Sequence, residues 1–379
     1  MILIGGDFVP TGDYYDNLKS GRPIFGPRLK AMVDRAAHVV VNLECPITTK
    51  KRPIIKCGPN LKAMPDVLSL AIEAGIDHYS LANNHIYDFG QDGLTETIEC
   101  LRQANCVHWG AATSRSNLRS EVILNAQDKR VGILSIAEHE FSIATSNHGG
   151  AYGLDYIENA DKVADLRQRC DHVVILYHGG VEHYRLPTPK QQKFLRHLLR
   201  VGADTILCQH SHILGATDAT EDGFIHYGQG NFVFQPPRSA NAERFSTWNR
   251  GSVLSLDIVD GAVATRVLYT RQIAPGLVEL EDLSPAEDTA IASLASVVAD
   301  PTRVAEEWAR FVNRRQVDYW SRLYGWSRLR RVLSRELNLS FGTKPGRRWA
   351  IIRNVVECES HREALETLWQ LQEGSRHPG

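Results

Sequence analysis

Five short apolar runs in the first part of this chain each end at a cluster of polar side chains, and that recurrence limits what the chain can fold into. Ile2-Leu3-Ile4 leads to Gly6-Asp7, Val39-Val40-Val41 to Asn42-Leu43-Glu44, and His78-Tyr79-Ser80-Leu81 to Asn83-Asn84-His85. Further on, Val173-Val174-Ile175-Leu176 leads to His178-Gly179-Gly180, and Ile206-Leu207-Cys208 to Gln209-His210-Ser211-His212. Short apolar runs bounded by polar residues read as buried strands, and apolar residues at three- and four-residue spacing between them read as helices. The pattern predicts strands at 38–43, 77–82, 121–125, 130–136, 172–177 and 204–208, with helices at 27–37, 65–74, 93–103, 158–169 and 189–201. Ligands in open α/β sheets collect beyond the carboxyl ends of the strands, so the five clusters can meet in one crevice.

From about residue 213 the pattern turns β-rich, with strands predicted at 224–227, 231–234, 252–259 and 262–272. An α/β portion followed by β-ribbons predicts two stacked sheets flanked by helices. After residue 280 the chain reads as helical, which divides it into 1–280 and 281–379. The second part holds five of the seven tryptophans (Trp308, Trp320, Trp326, Trp349, Trp369), and between Arg303 and Arg353 it carries 13 Lys/Arg against 4 Asp/Glu. Trp308, Phe311, Val312, Tyr319, Trp320 and Leu323 fall near helical spacing, with Arg310, Arg314, Arg315 and Arg322 between them. A helix of that kind packs its aromatic stripe on the sandwich or at a homodimer seam and leaves its arginines outside. Those arginines could also meet an anionic polymer, a peptide or a lipid head group.

The composition, 43% hydrophobic and 23% charged over 379 residues with a net charge of −1, is that of an ordinary soluble globular protein. It points to neither nucleic acid nor membrane, and no nucleic-acid-binding module or phosphate-binding glycine loop is present. Seven scattered cysteines without a Cys-x-x-Cys pair predict reduced thiols. A strand beginning at residue 2, with no apolar run of about 18 residues anywhere, predicts a cytoplasmic protein without a membrane span.

Asp7, Glu44, Asn84, His178, His210 and His212 make a mixed oxygen and nitrogen donor set of the kind that suits Zn, Mn or Fe. In an extended segment residues i and i+2 face one side, so His210 and His212 are expected to reach one point together. Shared between two adjacent ions, such a set would acidify a bridging water and polarise a phosphoryl oxygen. Taken singly, each residue has a plainer account: Asp7 and Asn84 as turn formers, Glu44 and His178 as satisfied polar groups at strand ends.

Six ordered motifs resemble those of the poly-γ-glutamate capsule synthesis protein CapA family, within the calcineurin-like metallophosphoesterases. They are Gly6-Asp7; Asn42-Leu43-Glu44-Cys45-Pro46; Ala82-Asn83-Asn84-His85 with Asp88 and Gly90; His178-Gly179-Gly180-Val181-Glu182; Gly202-Ala203-Asp204 leading to His210-Ser211-His212; and Gly230-Asn231-Phe232-Val233-Phe234. The resemblance spans about residues 2–235. It implies a four-layer α-β-β-α sandwich of two mixed sheets, followed here by a helical C-terminal extension, with one or two divalent ions at the strand ends. It also implies Glu44 at the bridging position, Asn84, His178 and His210 around one ion, Asp7 and His212 around the other, and His85 as the acid for a leaving oxygen. Phosphoesterases of that superfamily usually begin Asp-x-His; Val9 stands at the third position here, so the ion beside Asp7 is expected to bind weakly or to be missing.

Asp88, three residues after His85, could fix the imidazole tautomer and raise its basicity; a simple loop residue is the alternative for His85. Glu182 and His183 are expected to line the substrate entrance, with a solvated loop as the alternative. Asn231 and Gln229 could shape the floor of the site or simply build a turn.

These expectations point first to a metal-dependent hydrolase acting on a phosphoester or related bond of an anionic polymer, peptide or phosphorylated substrate, in capsule or exopolymer metabolism. One rival is a metal-independent peptide epimerase using Asp7 and a histidine as base and acid. Another is a non-catalytic accessory protein of a polymer synthase that docks through its basic, aromatic tail.

Overall fold

The computed structural model describes residues 1–235, 247–324 and 345–376. Its first sheet runs, in spatial order, through strands Leu277–Leu280, Ala262–Ala274, Arg250–Val259, Ile2–Val9, His38–Leu43, His78–Ser80 and Val107–Trp109. The second half of Ile2–Val9 also pairs in parallel with Asn231–Phe234. The second sheet runs Thr217–Thr220, Gly223–His226, Thr205–Gln209, His172–His178, Lys129–Ala137 and Glu121–Ala126. Each sheet is mixed, with a parallel centre: Ile2–Val9, His38–Leu43 and His78–Ser80 run together in one, and Lys129–Ala137, His172–His178 and Thr205–Gln209 in the other.

Side chains alternate across each strand, and the apolar runs are continuous because both faces are covered. Ile2, Ile4, Val40, Val174, Leu176 and Leu207 point between the sheets. Their neighbours Leu3, Val39 and Val41 meet the helices Pro27–Arg35, Val67–Glu73 and Gly90–Gln103 through Leu29, Val33, Leu68 and Leu94. On the far side, Val173, Ile175 and Ile206 meet Tyr156–Arg169 and Pro189–Val201 through Val163, Leu166, Leu195 and Leu198. The result is the expected four-layer α-β-β-α sandwich. Local chemistry sets the helix starts. The Asp155 carboxylate accepts from the amides of Ile157 and Glu158, and Thr188 with Gln191 forms a capping box ahead of Pro189.

Several elements lie outside the sequence-based expectation. The strand Val107–Trp109 forms because its backbone pairs with His78–Ser80 at the sheet edge, and Leu277–Leu280 forms against Ala262–Ala274. Both are three or four residues long, too short for their side-chain pattern to carry a period. The helix Asp13–Lys19 was equally unmarked.

The tail forms helices Pro285–Val298, Pro301–Arg314, Gln316–Tyr324, Pro345–Glu357 and Glu359–Arg376. Val297, Val298 and Val304 join the cluster of Phe194 and Leu195, while Trp308, Val312, Tyr319, Val355, Leu365 and Leu368 close around Val181. The predicted aromatic stripe therefore packs, with Trp308 buried beside Tyr184. Trp349 and Trp369 do not follow it and stay exposed; Trp326 lies outside the described residues. Glu138 fastens the tail to the sandwich: its carboxylate accepts from the Tyr177 hydroxyl, the Gly180 amide, the Ser360 hydroxyl and amide, and the Cys358 thiol. Among the described residues no helix is long and apolar enough to cross a membrane, and the seven cysteines are free thiols.

Candidate metal centre

The parallel strands of both sheets deliver their polar clusters to one place. Asp7 lies opposite Asn42 in the first sheet and His178 opposite Gln209 in the second. One donor atom from each of Glu44, His178 and His210 lies within 4.8 Å of the others, and the same holds for Asp7, Glu44 and His212. Glu44 is common to both groups. Asn84 joins the first, with Oδ1 3.1 Å from His178 Nε2.

His210 and His212 reach this point differently from the expectation. The strand stops at Gln209, and both histidines adopt left-handed backbone, with φ of 83° and 59°. Their rings converge through a turn, 6.2 Å apart, and not through strand alternation. For non-glycine residues such backbone costs on the order of 1 kcal/mol each, so surrounding contacts must hold it. Two of them do: the His210 amide donates to Asp7 Oδ2 at 3.2 Å, and His212 Nδ1 lies 3.0 Å from Asn231 Oδ1.

Asn42, which the sequence placed in a motif without a role, bridges the two sheets. Its Nδ2 donates to Asp7 Oδ1 at 2.8 Å and lies 3.1 Å from His178 Nδ1. Asn83 pins the neighbouring loop, donating to Asn42 Oδ1 and the Leu43 carbonyl while accepting from the amides of His85 and Ile86.

The donor set fits a divalent cation. Glu44 is fully buried, and neither carboxylate oxygen has a hydrogen-bond partner among the described residues. Burial, with Asp7 and Glu182 adding negative charge, pushes its carboxyl well above the usual range. A buried carboxylate is tolerated when a cation compensates it. Burial and the neighbouring His210 and His212 hold His178 well below the ordinary imidazole value, which keeps it in the neutral form a metal ligand needs. Val9, two residues after Asp7, is packed in the core opposite Phe234 and offers no donor.

His85 sits beside this set, with Nδ1 2.7 Å from Asp88 Oδ2. Sequence reasoning missed Lys56, which comes from the irregular segment before Val67–Glu73 and carries no periodic signal. Its ammonium is buried, ion-paired with Asp88 Oδ1, and 3.0 Å from His85 Nδ1. Asp88 raises the basicity of His85 as expected, but burial and Lys56 outweigh it, and the imidazole is held below its ordinary value.

A cavity of about 370 Å³ opens above the centre, with Asn84, His85, Glu182, His183 and His210 on the sandwich side. Glu182 and His183 line this cavity. Glu182 is exposed at the cavity, and the neighbouring His210, His212 and His183 hold its carboxyl below the usual range. Asn231 does not reach the cavity. Its amide is taken up by His212 and the Trp248 carbonyl. Glu140, also missed, accepts from Asn84 Nδ2 at 2.7 Å and lines the cavity beside it.

The chain is similar to several known proteins. The capsule biosynthesis protein CapA of Bacillus anthracis is 30% identical over 206 residues, 52% of this chain and 50% of that one, so the chain spans about half the length of that relative. A probable polyglutamine synthesis accessory protein of Mycobacterium tuberculosis (strain ATCC 25618 / H37Rv) is 25% identical over 280 residues, 70% of this chain and 72% of its own. Among solved structures, a phosphatase from Mycoplasma pneumoniae superposes with a TM-score of 0.44 at 14% identity, over 76% of this chain and 95% of that one. The family described as bacterial capsule synthesis protein PGA_cap matches residues 1–236, the stretch that holds the sandwich strands ending at Asp7, Glu44, Asn84, His178 and His210, and to that family this chain belongs.

Proposed function

We propose that this protein is a divalent-metal-dependent hydrolase of a phosphoester or related bond, working in capsule or exopolymer synthesis. The observation that carries the reading is Glu44: a fully buried carboxylate whose two oxygens make no hydrogen bond among the described residues, with His178 Nε2 3.3 Å from one of them, shared by two groups of metal-competent side chains. Glu44, His178, His210 and Asn84 would hold one ion, and Asp7, Glu44 and His212 the other. The chemistry such a pair supplies is a water acidified to near neutral pH and a polarised phosphoryl oxygen. Asn42 and Asn231 orient Asp7, His178 and His212, as partners behind metal ligands do. His85 faces the cavity beside Asn84 and is placed to hand a proton to the leaving oxygen. Glu182 and His183 border the path by which substrate enters.

The epimerase alternative needs Asp7 in reach of a peptide α-carbon. Asp7 is fully buried, its oxygens are engaged by Asn42 and the His210 amide, and it does not line the cavity. The deciding measurement is metal content followed by phosphoester hydrolysis with the loaded protein. Near two equivalents with turnover supports the proposal; bound metal without turnover on any phosphoester supports a non-catalytic accessory role, and the absence of metal binding overturns the hydrolase reading in favour of its metal-independent rivals.

A further inference from the structure

The cavity over the metal centre has a second wall, and it comes from the tail. Arg315, Arg322, Arg347, Tyr319 and His361 face it from helices that lie beyond residues 1–236. Elsewhere on the tail helices three arginines are neutralised locally, Arg310 by Glu306 and Glu307, Arg353 by Glu357 and Arg362 by Glu359, while Arg303, Arg314 and Arg348 make no ion pair among the described residues and do not line the cavity. Arg315, Arg322 and Arg347 have no carboxylate within ion-pair distance among the described residues, although Asp318 shares their wall. The other acidic side chains of the cavity, Glu140 and Glu182, stand on the sandwich side, near His210. Lys56, the remaining cation, is already paired with Asp88. Apart from Asp318, the carboxylates of the cavity belong to the sandwich side, and the three guanidiniums all belong to the tail.

Two of the guanidiniums are held in place. Arg315 lies 5.0 Å over the Phe311 ring and Arg322 5.8 Å over Tyr319, whose hydroxyl is 3.2 Å from His361 Nδ1. A guanidinium stacked on an aromatic face loses less freedom on binding an oxyanion than a free one. At about 370 Å³ the cavity suits a compact ligand or one short segment of a polymer.

We propose that Arg315, Arg322 and Arg347 form an anion-binding subsite that takes a second carboxylate or phosphate of the substrate, distinct from the group attacked at the metal centre. The proposal rests on the hydrolase reading for its second half, the reacting group, but the subsite itself is a matter of binding. The substrate is accordingly an oligoanion, and the tail determines which one is accepted.

Calorimetric titration of the full-length, manganese-loaded protein tests this with two probes, a γ-linked glutamate tetramer and tripolyphosphate. Arg315→Gln, Arg322→Gln and Arg347→Gln should each weaken binding of one probe by about ten-fold, and the triple variant by roughly a hundred-fold or more, the scale of charge-assisted hydrogen bonds. The affected probe identifies the anion as carboxylate or phosphate. Arg322→Lys should retain part of the affinity, and the triple variant should lose most of the salt dependence of the wild type. Metal content and melting temperature, measured in parallel, separate this from unfolding, since Arg322 and Arg347 are exposed. Equal affinity of wild type and triple variant for both probes, or no binding of either probe by the wild type, overturns the subsite. Arginine-dependent binding without any phosphoester turnover would instead leave the subsite standing and remove the hydrolase reading.

Discussion

Glu44 and the two histidine groups around it differ in how well they can hold an ion. Glu44, His178, His210 and Asn84 offer four donors, whereas Asp7, Glu44 and His212 offer three, with Val9 buried where a fourth could stand. His178→Ala and His210→Ala should therefore strip the tighter ion, His212→Ala mainly the weaker, and Glu44→Gln both; elemental analysis of the four proteins showing equal loss in every case would contradict the asymmetry. A second expectation concerns His85. His85→Asn should leave metal content intact and lower turnover by about 10²–10⁴, the range for a positioned acid. Because burial and Lys56 hold the imidazole below its ordinary value, its protonated form disappears as pH rises through that lowered value, and activity should fall there. Lys56→Met removes the nearby positive charge, raises the His85 value and should move this alkaline fall upward in a pH–rate profile. A fall that stays in place, in a variant that keeps its metal, would exclude His85 as the acid.

At the scale of elements, the site depends on how closely two strands approach. A Cβ added at Gly251 would lie 1.9 Å from the Asn231 carbonyl oxygen, at the bridge between Gly230 and Gly251. Asn231 in turn orients His212. Gly251→Ala should then destabilise the fold by about 1–3 kcal/mol, the usual cost of overpacking, and loosen the weaker ion before the tighter one. A thermal melt and elemental analysis check this together; an unchanged melting temperature would show that the strands can separate at no cost. The helix starts behave more simply, since the capping residues Asp155 and Thr188 can be recognised in the sequence itself.

The whole molecule buries several histidines in neutral form, which ties its stability to pH. Burial lowers His226 to about 4, and burial together with Arg322 and His210 brings His361 to about 4 against Glu140 and Glu182. An unfolded histidine takes up its proton near pH 6.5, so between pH 6.5 and about 4 the unfolded chain binds protons that the folded one refuses. The stability these groups confer is complete above pH 6.5 and is lost as pH falls toward 4, on the order of 3 kcal/mol for the fully buried His226 and less for His361, which is half-buried on the cavity wall. Glu138 acts in the opposite sense: burial and Glu359 push it up to about 7, so its contribution is lost as pH rises from 4.5 to 7. His226→Gln isolates one component. It should flatten the decline of melting temperature between pH 6.5 and 4 in metal-free protein, and an unaltered slope would refute the assignment. The tail belongs to this scale too, because its helices both cover the sandwich cluster of Phe194 and wall the cavity.

The positions of most strands and helices, the stacking of two sheets and the convergence of six polar side chains could be read from the sequence because each rests on short-range signals: apolar period and polar residues at strand ends. Asp7, Glu44, Asn84, His178, His210 and His212 all stand directly after apolar runs, where a parallel strand must deliver them to one edge. What the sequence could not decide depends on contacts between distant segments. Lys56 reaches His85 and Asp88 from a segment without periodicity. The left-handed turn of His210 and His212 is held by Asp7 and Asn231, more than 200 residues away in the first case. The tail arginines face the metal centre because Glu138 fixes Cys358 and Ser360 against the end of the His172–His178 strand. Side-chain charge and periodicity announce an element, but only packing against a remote partner decides which way it points, since burial and hydrogen bonding are paid out across the chain and not along it.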